Sequence, residues 1–333
     1  MHTSDNQTAA IRLPSKETVK ILCIVFFMII LPMFILFSCF AFIMSQTNRT
    51  QPKLDKRFEI TLDDDDVLND LCPHCNGFIY LVNGKEIHII GEEGESLGAF
   101  WYKSEVTAIG NYDGSGSFED HALSVALSDQ TILLYQYNDG KYEETDHIEV
   151  PGIVTQMCCD FYNQCTYLLE DGTTFQMFLS HTDTEEDPVD HYLSPEFICD
   201  DVKLITNYSG VRKDNSIIRF SDGLKATPIK EEIIGINRNI VYTKNAAYSY
   251  YFGSTATERA VFEDGQFYVW DEGYFYRKDG KFYYTGLLSG KWRGKGIPES
   301  ENGLLKLPES DRYFAITCGA VCYKDHTLVC YWV

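Results

Sequence analysis

The chain has 333 residues, which is enough for one large domain or two of ordinary size. Charged residues make up 23% of it and apolar residues 44%, a composition typical of a folded protein and unlike that of a disordered chain. The formal net charge of -21 argues against nucleic-acid binding, which needs a dense surface of Lys and Arg, and the 14% aromatic content favours β-rich structure.

The first feature along the chain is an uncharged apolar segment, residues 21–44. A helix needs about 20 such residues to cross the hydrocarbon core, and Pro32 is tolerable there because neighbouring groups can satisfy the freed backbone. A cleaved signal peptide is the alternative, but its apolar region is typically only about 7–15 residues long. We therefore predict a tail at residues 1–20, a transmembrane signal-anchor helix at 21–44 and a juxtamembrane linker at 45–57.

The orientation of this segment is open from its flanks, because basic residues stand on both sides of it. Two glycosylation acceptor sequences, at Asn48 and Asn207, and many cysteines outside the span favour an oxidising compartment. The candidate disulfide cysteines are Cys72, Cys75, Cys158, Cys159, Cys165, Cys199, Cys318, Cys322 and Cys330. We predict a cytosolic tail and an extracellular or lumenal C-terminal domain, at the plasma membrane or in the endomembrane system. A cytosolic C-terminal domain with reduced thiols is the alternative.

A hairpin pattern recurs through the rest of the chain. In TYLLEDGTTFQMF, residues 166–178, two apolar runs flank a turn at Asp171-Gly172. Asn-Gly and Asp-Gly between apolar runs are strong hairpin signals, because both central residues of a type I′ turn need a positive φ. Similar turns are expected at Asn83-Gly84, Asp129-Gln130, Asp214-Asn215, Asp264-Gly265 and Asp325-His326. Their spacing of roughly 45 residues is the size of one four-stranded propeller blade.

This spacing predicts an all-β fold, a six- or seven-bladed β-propeller over residues 58–333. The number of blades is left at six or seven because a further turn at Asp279-Gly280 marks either an extra hairpin or a seventh blade. The strand LVCYW near residue 330 is expected to pair with FEITL, residues 58–62, so that the ring closes and hides its edges. A β-sandwich, or two small β domains, is the alternative.

Two of the units, residues 154–178 and 314–333, resemble RCC1-type repeats. Each has a Val/Ile-rich strand, a corner that reads Cys318-Gly319 in the second unit, an acidic turn, and a strand ending in an aromatic residue. The resemblance implies a propeller fold. The Gly-Gln-Leu-Gly element of that family is absent, so no functional residue is carried over to this chain.

The motif Cys72-Pro-His-Cys75 is similar to the active site of thioredoxin-fold oxidases, but a strand follows it where a helix is needed. A structural disulfide is the simpler interpretation, and a zinc site would need Cys318 and Cys322 to lie nearby. The acidic run at residues 63–66 lacks the spacing of a calcium loop. We predict no catalytic residues, no metal and no cofactor.

Basic and aromatic residues alternate between residues 274 and 296, an unusual composition in an acidic protein. Tyr, Trp and Arg are enriched in interface hot spots, although an ordinary strand pair with core aromatics would read the same way. The candidate partner-binding residues are Tyr276, Arg277, Tyr283, Tyr284, Trp292 and Arg293. We therefore expect a membrane-anchored domain that binds a protein or glycan partner in an adhesion, receptor or scaffold role. The alternative is an ectoenzyme, either a hydrolase or a thiol–disulfide exchanger acting through Cys72 and Cys75.

Overall fold

The structure is a computed structural model that describes most of the chain after residue 54. The described residues are 55–112, 116–160, 162–178, 194–226, 229–263, 265–270, 273–286, 303–317 and 319–332. No helix among them is long and apolar enough to span a membrane. The predicted span at residues 21–44 and the acceptor Asn48 lie outside the described residues.

The described residues form seven antiparallel sheets, which we call blades 1 to 7. Blade 1 consists of β2 (Leu68–His74), β3 (Gly77–Val82), β4 (Glu86–Ile90) and β5 (Ser96–Trp101). Blade 2 consists of β6 (Val106–Gly110), β7 (Leu123–Leu127), β8 (Thr131–Asn138) and β9 (Lys141–Glu149), with a short 3-10 helix, Phe118–Asp120, between β6 and β7. Blade 3 consists of β10 (Val154–Cys159), β11 (Gln164–Leu169), β12 (Thr174–Phe178) and β13 (Glu196–Cys199).

Blade 4 contains three described strands, β14 (Val202–Ile205), β15 (Ser209–Arg212) and β16 (Ile217–Arg219). Blade 5 consists of β17 (Gly235–Asn237), β18 (Ile240–Tyr242), β19 (Ala246–Ser249) and β20 (Thr257–Val261). Blade 6 consists of β21 (Phe267–Trp270), β22 (Gly273–Lys278), β23 (Lys281–Gly286) and β24 (Gly303–Leu305). Blade 7 combines β25 (Arg312–Ile316), β26 (Gly319–Lys324) and β27 (Thr327–Trp332) with β1 (Asp55–Thr61) from the other end of the described chain.

The ring is closed by hydrogen bonds between β1 and β27, whose register runs from Asp55 opposite Trp332 to Thr61 opposite Thr327. The predicted closure by the N-terminal strand is therefore confirmed. Pairing with β1 covers the edge of β27, which would otherwise be free to add strands from other chains, and leaves β1 as the outer strand of blade 7.

The core lies between the blades, with one cluster of buried residues at each of the seven blade–blade contacts. Strand β3 shows why its residues are apolar at every position. Phe78 and Tyr80 point into the cluster shared with blade 7, whereas Ile79 and Leu81 point into the cluster shared with blade 2. Since successive side chains of a strand face opposite ways, a strand buried on both faces loses the polar alternation of a surface strand.

The turns agree with the predicted repeat at six positions and correct it at one. The turns at residues 83–84, 129–130, 171–172, 214–215 and 325–326 join the second and third strands of their blades, and so does Asp279-Gly280 in blade 6. The prediction at Asp264-Gly265 was wrong, because Gly265 lies in the connection between blades 5 and 6. The corresponding turn of blade 5 lies between Tyr242 and Ala246, where no Asp-Gly signal exists.

A glycine begins the second strand of blades 1 and 7 for a steric reason. A Cβ on Gly77 would lie 1.9 Å from the backbone oxygen of Ile90, and one on Gly319 would lie 1.9 Å from that of Tyr331. No side chain fits such a gap, so each of these two glycines reflects the close approach of two strands.

Candidate functional site

The first strands of the blades line the centre of the ring. Strand β10 contacts both β6 and β14, β14 contacts β17, and β25 contacts both β2 and β21. Where these strands end, a cavity of about 260 Å³ opens at one end of the central channel. Six of the seven blades contribute to it, and we call it the channel-mouth cavity.

The residues that line the cavity come in three kinds: apolar groups of the first strands, polar groups just beyond them, and two tyrosines, one of them buried. They are Cys72, Pro73, Asn111, Tyr112, Met157, Cys158, Cys159, Asp160, Thr206, Asn207, Tyr208, Ile236, Asn237, Arg238 and Val269. A partly apolar cavity with a few convergent polar groups is the usual form of a binding site.

Asp160 organises the rim of the cavity. It follows β10 directly, and its side chain is only 5% exposed. One carboxylate oxygen, Oδ1, accepts hydrogen bonds from the backbone N–H groups of Tyr162 and Gln164, at 2.8 and 2.9 Å. The other, Oδ2, accepts a bond of 2.9 Å from the Tyr208 hydroxyl. A buried carboxylate is stable only when it is fully hydrogen-bonded, so Asp160 ties the blade 3 loop to blade 4.

The loop at residues 160–164 is also tied to blade 2 through Asn163. The Asn163 amide accepts from the backbone N–H of Ala122 at 2.8 Å and donates to the carbonyl of Asp120 at 2.9 Å. Asn163 has a φ of 58°, a left-handed conformation that Asn adopts more readily than most residues. These bonds hold the loop between its neighbours while Tyr162 projects outward.

Two tyrosine rings stand exposed beside this network. Tyr162 is 68% exposed and Tyr208 is 52% exposed, although most tyrosines of the ring are buried. Burial of its hydroxyl end and, next, the hydrogen bond to Asp160 raise the pKa of Tyr208 to about 12, whereas the Arg238 guanidinium lowers that pKa. Exposed tyrosine rings near an arginine have the composition of a contact hot spot.

Asn207 adds a polar group inside the cavity. Its backbone carbonyl accepts bonds from the Thr166 hydroxyl and the Gln176 amide, at 3.2 and 3.3 Å. Its side-chain oxygen is buried and has no hydrogen-bond partner among the described residues. A buried polar atom of this kind costs free energy unless a partner satisfies it.

The predicted glycosylation site is this same residue. Ser209, which completes the acceptor sequence, is 2% exposed and hydrogen-bonds to the hydroxyl of Tyr250 at 2.8 Å. A glycan can therefore be transferred to Asn207 only while blades 4 and 5 are not yet packed against each other. The modification itself stays a prediction.

The predicted basic–aromatic patch falls in blade 6, and much of it is core. Tyr276 and Tyr284 are 5% and 4% exposed and pack against blades 5 and 7 respectively. Tyr283 is partly buried and stacks on Tyr276, and Arg277 lies 3.6 Å from Glu263. Trp292 and Arg293 lie outside the described residues. Of the named residues that the structure describes, only Arg277 and Tyr283 reach the surface.

The Cys72-Pro-His-Cys75 motif ends strand β2 and enters the turn to β3 at Cys75, without a helix after it. Cys75 is fully buried, and burial raises the pKa of its thiol far above the usual value. A reactive cysteine needs the opposite, a lowered pKa and access to solvent. Cys318 is outside the described residues, and no group of three or more metal-ligating side chains occurs in the described part of the chain.

Buried aromatic and histidine side chains pack beside this turn. The His74 ring is fully buried, and its Nε2 lies 2.6 Å from the Tyr142 hydroxyl, which also donates to the carbonyl of His121 at 3.0 Å. Burial, followed by the neighbouring His121, lowers the pKa of His74 to about 3. His74 is therefore a neutral residue of the core, and its enclosed ring is not placed to act on a substrate.

Similarity to known proteins is confined to the fold. No protein-family model matches the chain, and no curated protein matches its sequence. The β-propeller domain of Cps50 (Swd1) from Myceliophteria thermophila is 9% identical, with a TM-score of 0.54 over 84% of this chain and 100% of that one. A chain of the crystal structure of Kap60 bound to yeast RCC1 (Prp20) is 10% identical, with a TM-score of 0.52 over 80% of each chain. At such identities the likeness shows a β-propeller and nothing about function.

Proposed function

We propose that this protein is a membrane-anchored binding protein whose seven-bladed propeller holds a protein or glycan partner at the channel-mouth cavity. The observation that carries the proposal is the rim itself, where one buried carboxylate binds the hydroxyl of exposed Tyr208 and the backbone N–H of exposed Tyr162. Rigid aromatic side chains bind with little loss of conformational entropy, and adjacent amides supply hydrogen bonds.

Binding fits the cavity better than hydrolysis does. Hydrolysis of a glycosidic bond commonly uses two carboxyl groups that face one pocket. Asp160 is the one carboxylate among the described lining residues, and all its bonds serve the rim. Thiol–disulfide exchange through Cys72 and Cys75 is disfavoured by the buried, high-pKa thiol of Cys75.

The anchor and its orientation belong to the proposal and rest on the sequence alone. Residues 21–44 form the span, the tail at residues 1–20 stays in the cytosol, and the propeller lies outside it. A glycan on Asn207 would stand in the cavity, so partner binding there requires that Asn207 remain unmodified in the active protein. Protease treatment of intact cells, together with a glycosidase mobility shift on wild type, Asn48→Gln and Asn207→Gln, tests these assignments.

Site-specific photocrosslinking in cells tests the binding surface. A benzophenone amino acid replaces Tyr162 in one full-length variant, and replaces Trp101 in a control variant. Trp101 is equally exposed, at 66%, but lies on the outer strand of blade 1. We expect a discrete adduct from position 162 that weakens when Tyr208→Ala is added. The same adduct from position 101, or none from position 162, would refute the assignment.

A further inference from the structure

Two cysteines face each other on neighbouring strands of blade 3, at the base of the rim loop. Cys159, the last residue of β10, lies directly opposite Cys165 on β11. The next pair along, Asp160 and Gln164, is joined by a backbone hydrogen bond of 3.0 Å, and the Cys159 N–H donates instead to Asn111. Hydrogen-bonded and non-hydrogen-bonded pairs alternate in an antiparallel ladder, so the two cysteines occupy a non-hydrogen-bonded pair.

That position suits a covalent bond between the side chains. Cα atoms of a non-hydrogen-bonded pair are about 4.5 Å apart, within the range of about 4.4–6.8 Å that disulfides span. In the structure both cysteines are free thiols, on residues that face each other across the two strands. Both are buried, at 2% and 0% exposure, in the cluster between blades 2 and 3.

The neighbouring cysteine is excluded from this pair by the strand geometry. Cys158 points to the other face of β10, where its thiol donates to the carbonyl of Ile205 in blade 4 at 3.6 Å. Successive side chains of a strand face opposite ways, so Cys158 cannot reach Cys165 without a shift of register.

We infer that Cys159 and Cys165 form a disulfide that staples the rim loop, residues 160–164, of the channel-mouth cavity. The stapled loop carries the Asp160 carboxylate and the exposed Tyr162. A bond across its base limits the conformations of the loop before any partner arrives, and so preorganises the rim. The inference rests on the proposed topology, because the bond needs an oxidising compartment.

The bond forms by exchange with a protein disulfide oxidant of that compartment. The thiolate of one cysteine attacks the disulfide of the oxidant and gives a mixed disulfide, which releases one thiolate of the oxidant. The thiolate of the second cysteine then attacks the sulfur of the first cysteine. This step forms the protein disulfide and releases the second thiolate of the oxidant. The two cysteines lose two protons and two electrons in total, and the oxidant is reduced to a dithiol.

The timing of this step follows from burial. Burial raises the pKa of Cys159 well above its usual value, so the packed protein offers little thiolate to an oxidant. Oxidation therefore precedes the packing of blade 3 against blade 2. Once the blades have packed, the same burial shields the bond from reductants.

Disulfide mapping of the full-length protein tests the inference. Protein recovered from membranes is alkylated with N-ethylmaleimide in denaturant without reductant, digested with chymotrypsin, and analysed by mass spectrometry. Cleavage after Tyr162 separates the two cysteines, so a linked pair of peptides reports the bond. We expect this pair in wild type and in Cys158→Ser, and its loss in Cys159→Ser. If Cys159→Ser does not accumulate, wild type and Cys158→Ser decide the question.

Protease accessibility of the same sample separates failure of the inference from failure of the topology. A protected or external propeller with Cys159 and Cys165 both alkylated would overturn the disulfide and leave the topology standing. A cytosolic propeller with alkylated thiols would overturn both. A bond from Cys165 to any cysteine other than Cys159 would also overturn the inference.

Discussion

The buried ring of His74 makes the stability of the propeller depend on pH. Its Nε2 is engaged with the Tyr142 hydroxyl, and its Nδ1 is buried without a hydrogen-bond partner in the described structure. A second proton on this ring would sit on Nδ1, enclosed and unpaired. The folded state therefore resists protonation, which is why the pKa of His74 falls to about 3 from an ordinary 6.5.

The sign and size of the effect follow from linkage. Below pH 6.5 the unfolded chain takes up a proton that the folded chain refuses, so stability is complete above that pH and falls as the pH drops toward 3. One pKa unit corresponds to about 1.36 kcal/mol, so acidification to about pH 5 removes roughly 2 kcal/mol of unfolding free energy. The other buried ring, His121, also has a lowered pKa because of burial and adds to the loss.

Urea unfolding at about pH 7.5 and about pH 5 measures this loss. His74→Phe removes the titrating group and keeps an aromatic ring, while Tyr142 retains its bond to the carbonyl of His121. We expect the loss on acidification to shrink by roughly 2 kcal/mol in His74→Phe and to stay unchanged in His147→Gln, an exposed control. An equal loss in wild type and His74→Phe would show that His74 is not the group whose protonation destabilises the fold.

Three further predictions concern the strand corner, the rim and the staple. Gly319→Ala should lower the unfolding free energy by about 1–3 kcal/mol, because its Cβ meets the Tyr331 carbonyl, whereas Gly152→Ala has room and should be nearly neutral by the same urea titration. Asp160→Asn should lower the pKa of the Tyr208 hydroxyl, which NMR of ring-labelled tyrosine can follow; an unchanged pKa would contradict the bond to Asp160. Reductant present during unfolding should lower the stability of wild type by about 2 kcal/mol through loss of a short-loop disulfide, and an unchanged midpoint would contradict the staple.

The repeat could be predicted from sequence because a tight hairpin demands particular residues. Positive φ at the turn selects Asn, Asp or Gly. The hairpins of most blades can therefore be recognised in the sequence from turns such as Asp171-Gly172 and Asp279-Gly280. The turn of blade 5 was not predicted because it lacks Asp-Gly and the strands that it joins, Ile240–Tyr242 and Ala246–Ser249, are short. Gly265 has the same positive φ in a connection between blades, so the local signal cannot distinguish the two kinds of turn.

The rim of the cavity could not be predicted from sequence. Asp160 and Tyr208 are separated by 48 residues, about one whole repeat, and each is an ordinary loop residue until the ring brings the ends of the first strands together. The aromatic residues of blade 6 show the reverse case, because the sequence suggested a surface and the structure shows burial. Tyr276 and Tyr284 stand among exposed basic residues in sequence, yet the faces of their strands are covered by neighbouring blades.

The local elements of this protein could be predicted from its sequence: the apolar strands and most of the turns that join them. These depend on backbone conformation and on burial of neighbouring residues, which a short stretch of chain specifies. Tertiary contacts settle the number of blades, which aromatic rings are core, and where the channel-mouth cavity lies. Those properties depend on contacts between residues far apart in the chain, and these contacts exist only once seven blades pack around a common centre.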